Sequence, residues 1–278
     1  MSKIIEMLEA QWRGNKFVCV GLDPDIQKLP KKFNQLDPED AIADFCMQIV
    51  DATQEFVCAY KPNFAFFEQY GPDGLRALRH VVSHIHATAP DAIVILDAKR
   101  GDIGSTSSAL ACAAFDVWGA DAITVNPYLG RDAIQPFLDY KDKGVIVLCR
   151  TSNKGATEFQ NLRVGDQPLF MRVARAVADE WNGHGNCGLV VGATAPQELN
   201  EVRQAVGNMP ILVPGVGAQG GDLQHVLRAG LTADGGVLIN VSRSVLYASN
   251  DQDFAQAARK EVERMNVEIK HFLVEVSR

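Results

Sequence analysis

The chain has 278 residues, 47% of them hydrophobic and 22% charged, and a formal net charge of −7. That is enough chain and enough apolar content for a globular protein with a substantial core, and the acidic balance argues against a nucleic-acid partner. No apolar run approaches membrane-spanning length, and "MSKIIEMLEAQW" lacks the charged-then-apolar-then-small order of a signal peptide, so a cytoplasmic protein with no membrane partner is expected.

In chain order, "SKIIEMLEAQW" (2–12) reads as a helix ahead of the first strand. Short apolar, β-branched runs then recur: "FVCVGLD" (17–23), "FVCAYKPN" (56–63), "AIVILDAKR" (92–100), "AITVNPYL" (122–129), "GVIVLCRTSN" (144–153), "CGLVVGAT" (187–194), "ILVPGVG" (211–217) and "GGVLINVSR" (235–243). They are near-continuous rather than alternating, as in strands covered on both faces. Helical periodicity lies at 38–56, 72–88, 104–118, 168–181, 195–206, 221–230 and roughly 251–275. The segment from 104, "GSTSSALACAAFDVW", opens with hydroxyl residues suited to an N-cap. The alternation predicts an α/β fold, a single (β/α)8 TIM barrel domain over residues 1–278 with an extra N-terminal helix. An open doubly wound sheet is the rival. The six cysteines form no C-x-x-C pair and lie in apolar segments, so buried free thiols in a reducing compartment are expected.

Polar residues gather where the apolar runs end. Asp23 and Asp25 follow the first; Lys61 and Asn63 end the second; Asp97, Lys99 and Asp102 follow in and after the third. Asn126 ends the fourth, Arg150 to Asn153 the fifth, Gly215, Gly217 and Gln219 the seventh, and Ser242 and Arg243 the eighth. In a barrel these ends converge on one face, where active sites sit. Residues two apart on a strand share a face, so Asp97 and Lys99 should point together, with Lys61 arriving from the neighbouring strand. Isolated buried charges cost several kcal/mol each, so an alternating array is expected, Lys61–Asp97–Lys99, with Asp102 added from the following loop. The other reading of these residues is a buried ion-pair network without chemistry.

"PGVGAQGGD" (214–222) lies between a strand and a helix. Its backbone N–H groups suit an anion, with help from the helix N-terminus, and Arg243 on the adjacent strand end can grip phosphate oxygens. His80 and His84 are four apart, but on an outer helix, and read as a solvated face. No carboxylate–histidine cluster stands at the strand ends, and Lys99 between Asp97 and Asp102 would repel a cation, so no metal is expected.

Taken together, "GLDPD", "YKPN", "DAKRGDIGST", "RTSN", "PGVGAQGGD" and "VSR" occur in the order found in the orotidine 5′-phosphate decarboxylase family, and the chain resembles its longer, type 2 branch over nearly its whole length. The D-x-K-x-x-D signature alone also occurs in related barrels acting on sugar phosphates. The resemblance implies a carboxy-lyase of pyrimidine biosynthesis that turns orotidine 5′-monophosphate into UMP and CO2, with no cofactor and no metal. It implies that Lys99 is the proton donor, with Asp97 by the substrate carboxylate and Lys61 beside it. It implies a homodimer with shared active sites, to which Asp102, Ile103 and Thr106 come from the other subunit. Asp23 and Lys61 would contact ribose and Ser152 would recognise the pyrimidine. Gln219 would bridge base loop and phosphate, and Arg243, with Gly217 and Ser242, would hold the phosphate. Ser242 stands where many members have glycine. The long loop from Thr151 to Gly165 would close over the base.

Overall fold

Eight parallel strands close into a ring in the structure, a computed structural model that describes residues 2–217 and 220–276. They are β1 (Val18–Leu22), β2 (Val57–Pro62), β3 (Ile93–Arg100), β4 (Ala122–Val125), β5 (Gly144–Arg150), β6 (Cys187–Val191), β7 (Ile211–Pro214) and β8 (Val237–Val241). Each pairs with its neighbours in sequence, and Val18 in register with Ile239 joins the last strand to the first. The barrel is thus closed, not an open sheet. The sequence cause is visible in β1, β4, β6 and β8, where every residue is buried. One face packs inside the ring and the other under helices, so both must be apolar. Each fully buried Val, Leu or Ile contributes about 1.5–3 kcal/mol.

The N-terminal helix Lys3–Arg13 caps the N-terminal end of the ring. It buries Ile4 and Leu8, and the Trp12 indole N–H donates to the Val237 carbonyl at 2.9 Å. Its close approach needs a bare backbone at the start of β5: a Cβ on Gly144 would stand 2.8 Å from Ala122 Cβ and 3.2 Å from Ile4 Cγ1. At the same end Arg203 is buried and donates to the carbonyls of Gly230 (2.7 Å), Met209 (2.7 Å), Gly236 (2.6 Å) and Gly207. Burial lowers its pKa to about 10. Its role is to tie together the segments leading into β7 and β8.

Three local details depart from the sequence expectations, at the helix after β4, the start of the helix after β3, and Cys112. A helix at Arg131–Leu138 follows β4; eight residues with Pro136 inside are too short for a clear periodic signal. The helix Gly104–Cys112 has no side-chain cap at its start. Its hydroxyls lie within it instead, and Ser107 Oγ donates to the Ala133 carbonyl at 2.5 Å, joining it to the next helix. Cys112 is exposed, whereas the other five cysteines are buried free thiols; burial pushes Cys149 and Cys187 up to about 12. The loop after β5 is structured, with a short helix Ala156–Phe159 and a tight hairpin pairing Arg163–Val164 with Gln167–Pro168.

Candidate active site

The C-terminal ends of the strands surround a cavity of about 470 Å³, a volume suited to a nucleotide-sized ligand. Asp97 is its electrostatic centre. Its Oδ2 accepts from Lys61 Nζ at 2.8 Å and its Oδ1 from Lys99 Nζ at 2.5 Å. The side chains of Lys61 and Asp97 are 5% and 11% exposed, and that of Lys99 is 49% exposed. The array therefore runs from a buried cation through a buried anion to a cation that faces the cavity.

Pairing keeps the inner two charges ionised. Burial works against the Lys61 ammonium, but the Asp97 and Asp23 carboxylates outweigh it and hold the lysine above its usual range. Burial likewise opposes the Asp97 carboxylate, and Lys61 and Lys99 together pull it well below the usual range.

Lys99 reaches Asp97 by a route that simple alternation does not give. The pairing of β3 with β4 slips between Leu96 and Arg100, and Lys99 adopts φ +48°, the left-handed region that non-glycine residues rarely enter. Its backbone N–H donates to Thr124 Oγ1 at 3.0 Å, and Thr124 Oγ1 donates to Asp97 Oδ1 at 2.9 Å. Thr124, buried on β4, was missed by the sequence reading; its one signal was a hydroxyl inside the apolar run "AITV".

Asp23 and Ser242 meet beside the array, at the ends of β1 and β8, with β1 next to the strand that carries Lys61. Ser242 Oγ donates to Asp23 Oδ2 at 2.6 Å, while Asp23 Oδ1 is buried without a hydrogen-bond partner among the described residues. An orphaned buried acceptor beside a cavity is suited to a ligand hydroxyl. Next to it Arg243 is exposed, lines the cavity and has no ion-pair partner among the described residues. Ser152 lines the same cavity, pressed so close to Gly192 that a Cβ there would stand 2.7 Å from Ser152 Cβ. Gln160 secures this segment: it accepts from Thr151 N–H and donates to Thr151 Oγ1, both at 2.8 Å.

Part of the glycine-rich loop is bonded to itself. Gly217 N–H donates to Gly221 O at 2.9 Å and Gly221 N–H to Gly215 O at 3.1 Å, while Gly217 itself is exposed. The Asp222 carboxylate caps the helix Leu223–Gly230 by accepting from His225 N–H at 2.8 Å. That carboxylate takes up one of the N–H groups of the helix N-terminus. Gln219 lies outside the described residues. Asp102, Ile103 and Thr106 do not join the array within one chain: Asp102 accepts from its neighbour's N–H, Ile103 (2.7 Å), and Ile103 and Thr106 are exposed. On the outer helices, His80 and His84 face Glu39 (3.1 Å) and Asp51 (2.6 Å). Among the described residues no group of three or more His, Cys, Asp or Glu side chains is placed to hold a metal ion.

The array and cavity can be set beside known proteins. A curated orotidine 5′-phosphate decarboxylase of Aromatoleum aromaticum is 56% identical over 257 residues, covering 91% of this chain and 93% of that protein. Its counterpart from Cellvibrio japonicus is 51% identical over 257 residues, covering 92% and 93%. The solved structure of Leishmania donovani OMP decarboxylase aligns with a TM-score of 0.81 at 41% identity, covering 96% of this chain and 99% of that one. The sequence profile described as "Orotidine 5'-phosphate decarboxylase / HUMPS family" matches residues 16–258. With a closed barrel, a lysine–aspartate–lysine array at its C-terminal mouth and relatives of this identity along its length, the chain belongs to the orotidine 5′-phosphate decarboxylase family.

Proposed function

We infer that the chain is an orotidine 5′-phosphate decarboxylase that converts orotidine 5′-monophosphate to UMP and CO2 in pyrimidine biosynthesis. The observation that carries this reading is the array Lys61–Asp97–Lys99 at the cavity floor, in a chain about half identical to curated decarboxylases of that name.

The chemistry follows from the charges. The bond from C6 to the carboxylate breaks, CO2 leaves, and the electron pair stays on C6 in the plane of the ring, where the π system does not spread it. Lys99, the half-exposed ammonium of the array, stands beside C6, stabilises the developing charge and then delivers its proton to that carbon. Solvent reprotonates the amine. Asp97 keeps Lys99 aimed and sets its own negative charge against the substrate carboxylate, the group that is lost. Lys61 holds Asp97 ionised. The orphaned Oδ1 of Asp23 takes a ribose hydroxyl, Ser152 reads the pyrimidine, and Arg243 holds the phosphate, with Gly217, Ser242 and Gln219 around it. Phosphate binding far from C6 helps order the site for the reaction. No metal or cofactor takes part in this scheme.

The active form is a homodimer with shared sites, in a cytoplasmic setting. Asp102 has no ion-pair partner among the described residues, and Ile103, Tyr128, Leu129 and Phe159, from consecutive loops after β3, β4 and β5, are 62%, 83%, 50% and 62% exposed. Apolar exposure of that kind fits a protein surface, and a second copy would bring Asp102, Ile103 and Thr106 to its partner's array. Mixing inactive Lys99→Ala and Asp102→Ala chains tests this: activity should reappear in mixed dimers and would stay absent if each site were built from one chain.

The direct test is to add purified protein to orotidine 5′-monophosphate in EDTA and follow the nucleotide's absorbance. Conversion to UMP is expected. A protein that needs added divalent cation, or that acts on a sugar phosphate instead, would overturn the reading.

A further inference from the structure

Thr124 is 1% exposed, so its hydroxyl has little access to water and must find its partners inside the protein. It has two, and both belong to the array. The oxygen accepts the backbone N–H of Lys99 at 3.0 Å, and Asp97 Oδ1 lies 2.9 Å away. Once the oxygen has accepted from an amide, its single proton is free for the carboxylate, so the direction of the second bond is fixed.

The Lys99 backbone explains why such a link is needed. Where the β3–β4 register slips, Lys99 loses its place in the ladder, and its φ of +48° is a strained conformation for a long side chain. Its N–H must still be satisfied. A hydroxyl projecting from β4 does this where no carbonyl does. The same hydroxyl gives Asp97 Oδ1 a second donor beside Lys99 Nζ, so the carboxylate is held at Oδ2 by Lys61 and at Oδ1 by Lys99 and Thr124. Threonine's branched Cβ restricts χ1, so the hydroxyl is held in place.

We propose that Thr124 is a positioning residue that locks the Lys99 backbone and the Asp97 carboxylate to one hydroxyl, fixing the ammonium relative to the reacting carbon. This rests on the reading of Lys99 as the proton donor. Its contribution belongs to the transition state more than to ground-state binding, because the array and not the phosphate grip is what loosens without it.

Three variants test it: Thr124→Val, which keeps the shape and removes the hydroxyl, Thr124→Ala in case valine disturbs folding, and Thr124→Ser, which restores the hydroxyl. Turnover of orotidine 5′-monophosphate is measured beside the affinity for UMP, which lacks the carboxylate. The expected result for Val or Ala is a fall in kcat of about 10- to 100-fold, with KM and the UMP Kd changed less than about threefold, and recovery of most of kcat in Ser. A kcat within about twofold of the parent in both Val and Ala would overturn the proposal. So would a loss that serine does not recover, or a matching loss of UMP affinity, which marks a general structural defect. If the parent protein does not decarboxylate the nucleotide at all, the functional reading fails instead, and the two failures are distinct.

Discussion

Ser242 Oγ donates to Asp23 Oδ2 at 2.6 Å and so fixes which oxygen of that carboxylate is left for a ligand. The serine is also the residue before the helix Arg243–Leu246, yet its side chain does not cap that helix. Its hydroxyl serves Asp23 instead. A glycine here would leave Asp23 without this donor. Ser242→Gly is therefore expected to raise KM for orotidine 5′-monophosphate about tenfold, as loss of a hydrogen bond to a charged group implies, with a smaller effect on kcat. Steady-state kinetics check this; an unchanged KM would mean that Asp23 is held by other means.

Lys61 and Asp97 are buried partners, so removing either leaves the other a buried charge without its most buried counter-charge. Lys61→Met or Asp97→Leu alone should cost about 3–5 kcal/mol of stability, whereas the double variant should recover much of that loss. Urea unfolding of all three gives the comparison, and a double variant as unstable as the sum of the singles would contradict it. The pH dependence has a definite sign. Asp97 is depressed in the folded state, so its contribution is present above about pH 4 and is lost as pH falls through the folded value. Lys61 is raised, so its contribution is present below about pH 10.4 and is lost as pH rises through the folded value. The stability gap between the parent and Asp97→Asn should thus be level from about pH 5 to about pH 9 and narrow below about pH 4. A gap that halves between pH 7 and pH 5 would exclude a depressed Asp97.

Arg243 is exposed at the cavity edge, with one N–H of the neighbouring helix N-terminus already taken up by Asp222. In the proposed binding mode its guanidinium is the charged group that meets the phosphate. Arg243→Ala should weaken UMP about 10- to 100-fold, the size of a lost charge-assisted contact, and leave uridine affinity unchanged. Calorimetric titration with both ligands separates the cases. Equal losses for UMP and uridine would place the arginine at the base or sugar.

Much of this was legible in the sequence because the barrel imposes a simple rule. Strands buried on both faces must be continuous runs of apolar residues, so polar residues such as Lys61, Asp97 and Ser242 stand out at their ends. The meeting of Lys61 with Asp97 followed from neighbouring strands. The conformation of Lys99 did not: alternation puts Asp97 and Lys99 on one face of a regular strand, whereas a register slip and a left-handed backbone bring them together. At the slip the Lys99 N–H bonds to the β4 hydroxyl facing it, a contact between residues 25 apart in the chain. The internal bonds of "PGVGAQGGD", such as Gly217 N–H to Gly221 O, were likewise not legible. Glycines indicate that a backbone can turn, but not that its N–H groups are already bonded within the turn. Cys112 was misjudged because its immediate neighbours in "ALACAAF" are apolar, and one exposed face is not apparent from composition.

The most direct test of the whole account is the turnover of Lys99→Ala with orotidine 5′-monophosphate, measured with its affinity for UMP. The account predicts that turnover is nearly abolished while UMP still binds, since the ribose and phosphate contacts remain. Near-normal turnover in this variant would contradict the assignment of Lys99 as the group that stabilises and protonates C6.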